Sequence, residues 1–243
     1  MVSTRHHPKD FPSPSASKEV ARASSSTASS RWVHTPSAAL TAWLLISVPL
    51  VAWDAGYVLL RPHSMPGGKF HSPIWTPYAL YGTIDYIYGW PAFNARNGFT
   101  AAQTVLNLAE NVAYIYYLYV VYVHGVSVGT GGRGGKKAGK GLLWLLREEK
   151  VVSGRTGAIA LLVAYTASVM TLSKTVLYWL NELFSGFDNI GHNDLTTLVF
   201  LWIIPNGLWI VFPSYNIYTL GAEILSSLET TSLGARPGRP KSS

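Results

Sequence analysis

Hydrophobic and polar positions sort into four long apolar stretches separated by segments rich in Gly, Pro, Ser or charge. They cover 37–60 (SAALTAWLLISVPLVAWDAGYVLL), 99–124 (FTAAQTVLNLAENVAYIYYLYVVYVH), 156–183 (TGAIALLVAYTASVMTLSKTVLYWLNEL) and 195–220 (LTTLVFLWIIPNGLWIVFPSYNIYTL). At 1.5 Å per helical residue, each is long enough to cross a hydrocarbon layer of about 30 Å. The pattern predicts an all-α integral membrane protein, a four-transmembrane-helix bundle over 37–222. Residues 1–36 form a basic Ser/Pro-rich tail without the apolar periodicity that offsets ordering entropy, and are expected to be disordered. Residues 223–243 form a second basic tail, expected to be cytosolic.

The polar residues inside these stretches carry the chemistry. Asp54 is the one ionisable group of the first, where a carboxylate costs roughly 2.5–3.5 kcal/mol at a helix centre. It must face the bundle or a wet cavity, or else hydrate near the helix end and pair with Arg61. Pro49, one turn earlier, is expected to kink the helix. In the second stretch Gln103, Asn107, Glu110 and Tyr114 recur at i, i+4, i+7 and i+11, with Asn111 alongside. Interhelical hydrogen bonding accounts for one or two such residues; four on one face predict the wall of a polar cavity. In the third, Lys174, Tyr178 and Asn181 share a face, so Lys174 either snorkels to the interface or pairs with Glu110 or Asp54. In the fourth, Trp202, Asn206, Trp209 and Pro213 form one stripe. Either they wall a pocket, or Asn206 joins two helices and the tryptophans anchor at the interface.

The connection over 61–98 is dense in Pro, Gly and aromatic residues but poor in charge. It predicts an ordered segment over one mouth of the bundle, with Trp75, Tyr78, Tyr81, Tyr86, Tyr88 and Trp90 at the membrane interface. Asp85, within TIDYIYG, has apolar neighbours and needs either hydrogen bonds from its turn or a ligand. Over 125–155, GTGGRGGKKAGKG reads as a flexible basic loop and LLWLLREEKVV as an amphipathic piece on the surface. The glycines lack the GxxxxGK[ST] order and preceding strand of a phosphate loop. Arg133, Lys136, Lys137, Lys140, Arg147, Lys150 and Arg155 put this side in the cytosol, and four spans bring both termini there.

Composition narrows the class. Of the 243 residues 13% are charged and 13% aromatic, against roughly 25% charged in soluble domains. With no cysteine, disulfides, thiolate metal sites and a Cys nucleophile are excluded. The net charge of +7 lies in the tails and one loop, which favours contact with anionic membrane lipids over nucleic acid. His6 and His7 stand alone, so neither a metal nor another cofactor is expected.

Three segments resemble a known family. VLYWLNELFSGFDNIGHND followed by PNGLWIVFP, then VPLVAWDAGYVLLRP, and IWTPYALYGTIDYIYG are similar to motifs of the EXPERA-domain family. This family of four-helix membrane proteins includes the emopamil-binding protein (the sterol Δ8-Δ7 isomerase) and the sigma-2 receptor. The resemblance covers residues 41–220 and implies an endoplasmic reticulum protein with an intramembrane pocket for a sterol or related amphiphile; a homodimer is compatible with it. It puts Asp54 at the first-helix carboxylate, an acid/base in the isomerases and an amine contact in the receptor. Asp85 falls at the carboxylate ending the aromatic segment, Asn206 and Trp209 at the pocket's amide and indole, and Tyr178 and Glu182 in the VLY…E motif. Three positions depart: Leu50 replaces a His, Gln103 or Thr104 falls near the second catalytic Glu, and Thr175 replaces an Asp.

The implied chemistry is proton shuffling: an acid protonates one alkene carbon, an indole stabilises the cation, and a base removes a proton elsewhere. Asp54 is the expected acid, Trp209 the cation stabiliser, and Glu110 or Asp85 the base. Gln103, Asn107, Tyr178, Glu182, Trp202, Asn206 and Asp85 are expected ligand contacts. The expected function is a sterol Δ8-Δ7 isomerase-like activity. The alternatives are a non-catalytic protein binding sterol or a cationic amphiphile, and a carbocation-type isomerase or cyclase acting on another polycyclic or prenyl-derived substrate.

Overall fold

The computed structural model describes residues 32–128, 144–147 and 149–234. A two-residue strand, β1 (Val33–His34), precedes α1 (Ala38–Leu59), whose first turn is capped by Ser37 Oγ accepting from the Leu40 amide at 3.1 Å. Two short helices follow, α2 (Pro77–Ile84) and α3 (Trp90–Asn94), each with proline in its first turn where no amide partner is needed. Then come α4 (Phe99–His124), β2 (Val126–Ser127), α5 (Trp144–Arg147), β3 (Lys150–Ser153) and α6 (Gly154–Phe184). Asp194 caps α7 (Leu195–Leu198) by accepting from the amides of Thr196 and Thr197, and a π-helical turn (Val199–Ile203) leads into α8 (Ile204–Gly234).

Among the described residues three helices are long and apolar enough to cross a membrane: α1, α6 and the continuous run Leu195–Thr230. The remaining long helix, α4, packs between α1 and α6, and α8 packs along α6. The residues of α4 divide sharply. Glu110, Asn111, Tyr114 and Tyr117 are buried, whereas Val105, Leu108, Val112, Ile115 and Tyr119 are exposed, so along 105–119 its polar groups face the bundle and these apolar ones face outward, while Val120 and Val121 beyond are buried.

The 61–98 segment folds over one end of the bundle. Trp75 and Tyr78, expected at the membrane interface, are instead buried with Tyr57, Val58 and Met65, because α1 offers them a seat. Trp75 donates its indole N–H to the Trp53 carbonyl at 3.0 Å, and Trp53 returns one to Ile74 O at 2.9 Å. A Cβ on Gly56 would stand 2.9 Å from Trp75 Cζ2, so the missing side chain admits the indole. The 185–194 connection closes the same end: Asn193 Nδ2 donates to Ile84 O at 2.8 Å, and the ring of His192 stacks on Tyr86 at 3.9 Å.

The opposite end differs from the sequence pattern. Residues 33–34, expected within the disordered tail, pair antiparallel with β3 (Val33 with Ser153, His34 with Val152), and β2 flanks β3 on its other edge. LLWLLREEKVV, expected on the surface, contributes α5 and β3, with Trp144 and Leu145 buried and Lys150 Nζ donating to Leu145 O at 2.8 Å. Residue 222 is no boundary either, since α8 continues to Gly234. Glu223, expected in a tail, accepts from His34 Nδ1 at 2.9 Å, while His34 Nε2 meets Tyr117 Oη at 2.9 Å. The remaining expectations for residues 1–31, the glycine-rich loop 129–143 and residues 235–243 lie outside the described residues.

Candidate functional site

A cavity of about 390 Å³ lies between α1, α2, α4, α6 and α8, within the size range of small-molecule sites. Its walls follow helical spacing. Ser47, Leu50, Val51 and Asp54 come from α1, with Trp53 beside them, and Thr171, Lys174, Thr175 and Tyr178 from α6; apart from Trp53 both sets fall at i, i+3, i+4, i+7. From α4 come Gln103, Asn107, Glu110, Asn111 and Tyr114; Pro205, Asn206 and Trp209 come from α8. The segment over the mouth adds Pro77, Tyr78, Tyr81 and Tyr88.

Two polar centres face this space. The first is Asp54, whose carboxylate accepts from the Tyr78 hydroxyl. Tyr78 stacks on Tyr57 at 3.7 Å between ring centroids, which fixes its hydroxyl. Burial, with Asp54 beside it, pushes the Tyr78 phenol well above its ordinary range, so it remains a donor. The expected Asp54–Arg61 pair is not formed: the guanidinium donates to Val58 O and Ile87 O at 3.2 and 3.3 Å.

The second centre is the Glu110–Lys174 pair, at 3.1 Å between Oε2 and Nζ, with both side chains at most 10% exposed. Lys174 therefore pairs within the bundle and does not snorkel. It also donates to Asn107 Oδ1, and Glu110 Oε2 accepts from Thr171 Oγ1 at 2.8 Å. Glu110 Oε1 is buried with no hydrogen-bond partner among the described residues. Tyr114 extends the cluster to Thr171 at 3.0 Å and to Ser168. The rest of the α4 stripe is structural: Asn111 Nδ2 donates to Val48 O at 2.9 Å, and Gln103 Nε2 to Lys174 O at 3.2 Å.

Asp54, Gln103, Asn107, Glu110, Tyr178, Asn206 and Trp209 thus line one cavity, whereas Asp85, Trp202 and Glu182 do not belong to its wall. Asp85 is fully buried at the C-terminus of α2. Its Oδ1 accepts from the Ile87 amide at 3.1 Å, and its Oδ2 from Trp202 Nε1 at 2.8 Å and from the Tyr178 hydroxyl. Burial pushes its carboxyl up to about 6, against the opposing pull of those three donors. Asp85 therefore clamps the mouth segment to α6 and the π-helical turn. Glu182 similarly ties α6 to the next connection, accepting from Asn189 Nδ2 at 2.8 Å.

The π-helical turn explains why Trp202 parts from its predicted stripe. Pro205 has no amide and its ring crowds the preceding turn, which the wider turn relieves while changing the phase by about one residue. Trp202 then faces Asp85, while Asn206 and Trp209 face the cavity. The Asn206 amide donates to Trp202 O at 2.9 Å and reaches Tyr81 Oη at 3.5 Å. Trp209 packs edge-on against Trp43 at 5.0 Å, which in turn stacks on Phe212 at 4.2 Å and joins α1 to α8.

The sequence pattern did not single out Tyr78, Tyr81, Tyr88, Thr171 or Thr175 as wall residues. The two threonines were legible in the spacing of TLSKTVLY; the tyrosines follow only from how the mouth segment folds. No family model, curated protein or solved structure matches the chain.

Proposed function

We propose that the chain is an EXPERA-type protein of the endoplasmic reticulum with four membrane spans and both termini in the cytosol. Its cavity would take up a sterol or related polycyclic amphiphile and shift a ring double bond in the manner of sterol Δ8-Δ7 isomerases. One observation carries this reading: Asp54, Glu110 and Trp209, from three different helices, line a single cavity with otherwise largely apolar and aromatic walls. The outward apolar face of α4 supports a fourth span whose polar residues are spent inside the bundle.

In this mechanism Asp54 delivers a proton to one alkene carbon, and the Tyr78 hydroxyl stabilises the carboxylate left behind. The Trp209 indole stabilises the intermediate cation by its π-face. Glu110 removes a proton from a neighbouring carbon, so no net proton is consumed. A second reading, a non-catalytic lipid-binding protein, is favoured by the hold of Lys174 on Glu110 and by Leu50 and Gln103 at the isomerases' His and Glu places.

Expression in cells lacking sterol Δ8-Δ7 isomerase separates the two. The enzyme reading expects Δ7 sterols to reappear with the intact chain and to vanish with Asp54→Asn at equal expression. Absence of conversion alongside saturable sterol binding by the purified protein refutes catalysis and leaves the binding reading.

A further inference from the structure

We propose that Glu110 and Lys174 form an anchor for a hydroxyl group of the cavity's ligand, which makes that ligand a neutral alcohol and not a cationic amine. The inference rests on the reading of the cavity as a ligand site and deepens its binding form, because a Glu110 that holds the ligand's hydroxyl is not free to act as the base on a ring carbon. Glu110 is 4% exposed and reaches the cavity wall, yet its Oε1 has no partner among the described residues. A buried charged oxygen stripped of water and given nothing in return is costly.

Apart from the Asn107 amide N–H groups, the polar atoms of the nearby side chains are committed elsewhere. Thr171 and Lys174 serve Oε2, Asn107 receives Lys174, Asn111 holds the Val48 carbonyl, and Tyr114 is shared between Thr171 and Ser168. A carboxylate oxygen only accepts, so whatever completes the site must bring a donor. Charge then selects the kind of donor. Lys174 already neutralises Glu110, and an ammonium placed on Oε1 would lie close to a second cation in a poorly screened site. A hydroxyl brings the donor without the charge. Its lone pairs suit the third N–H of Lys174, whose other two serve Glu110 and Asn107.

The test uses the full-length chain in lipid nanodiscs and three competitors of one shape: cholesterol, its 3-methyl ether, and the 3β-amine. The expected order is the alcohol ahead of both others by at least about tenfold, as for a hydrogen bond to a buried charged group. In the double variant Glu110→Met/Lys174→Met, alcohol and ether should converge to within about twofold, with ether affinity retained. If that variant does not fold, Glu110→Leu/Lys174→Leu, which likewise leaves no polar atom at the anchor, is compared in the same way. Equal wild-type affinity for alcohol and ether, as when a water completes Oε1, overturns the anchor and leaves the cavity reading standing. An amine that binds more tightly than the alcohol, or a preference that survives in a folded double variant, also overturns it. Failure of all three to bind overturns the anchor together with the sterol-site reading.

Discussion

Replacing Lys174 by methionine isolates the energetics of the buried pair. The substitution keeps an unbranched side chain of similar length, so little packing changes, but it removes the ammonium 3.1 Å from Glu110 Oε2 and the donor to Asn107. Glu110, 4% exposed, then keeps one hydrogen bond, from Thr171, for two carboxylate oxygens. Removing one partner of a buried pair typically costs about 3–5 kcal/mol, whereas replacing both by apolar side chains is often neutral or stabilising. The expected pattern is a loss of about 3 kcal/mol or more for Lys174→Met. A comparable loss is expected for Glu110→Met, and the double variant should lie within about 1 kcal/mol of wild type. Reversible unfolding in mixed detergent micelles, followed by tryptophan fluorescence, measures all four corners of the cycle. Singles that each cost less than about 1 kcal/mol, or a double that costs their sum, would show that the pair is hydrated or unformed, and the argument for a dry, charge-neutral cavity centre would fail.

Two further perturbations probe the mouth. Asp85 has a folded carboxyl near 6 against 3.8 for the free side chain, so its contribution to stability is fully present below about pH 3.8 and is lost as pH rises through 6. Wild type should therefore lose stability between pH 4 and 6 relative to Asp85→Asn, which does not titrate; parallel pH profiles of the two proteins in detergent would refute this assignment. Gly89 lies so close to Gly82 that a Cβ would stand 2.2 Å from the Gly82 carbonyl oxygen. Gly89→Ala should cost about 2 kcal/mol or more by forcing α2 and α3 apart, and limited proteolysis over 77–98 should speed up; unchanged protection would contradict the packing.

What was legible in the sequence follows from what leaves a periodic trace. The 26-residue α4 announces its inner face because Gln103, Asn107, Glu110 and Tyr114 repeat with the helix, and the cavity follows from that face. The strands β1 and β2 have two residues each, too few for an alternation, and their pairing with β3 is long-range. Buried His34 was invisible for the same reason: its partners Tyr117 and Glu223 lie 83 and 189 residues away. Trp202 was misassigned to the cavity because a strict 3.6-residue period was carried through Pro205, whose lack of an amide already argued for irregular winding. Asp85 was rightly singled out as a carboxylate needing hydrogen bonds, but the donors that satisfy it, Tyr178 and Trp202, come from elements that sequence distance alone does not bring together.

The division of polar groups between mouth and cavity separates support from chemistry. Asp85 and Glu182 each take hydrogen bonds from groups that hold the connections over the bundle's end, and neither belongs to the cavity wall. Asp54 and Glu110 do line the cavity, and the structure gives each fewer partners than its oxygens can accept: one hydroxyl at Asp54, and a bare Oε1 at Glu110. Asp85 is saturated in this way, but Glu182 Oε2 is buried without a partner among the described residues, as Glu110 Oε1 is, so a bare oxygen alone does not mark a ligand. What sets Asp54 and Glu110 apart from Glu182 is their place on one cavity wall, where a ligand can supply the missing donors. The same logic explains why α4 is less apolar than its neighbours: its polar residues are confined to one face, and Glu110 can stay buried there only because Lys174 and Thr171 from α6 meet it. If the cavity were merely a packing defect, replacing the Glu110–Lys174 pair by methionines would leave stability within about 1 kcal/mol of wild type with no change in what the protein binds. A ligand site predicts a stable protein with altered ligand preference.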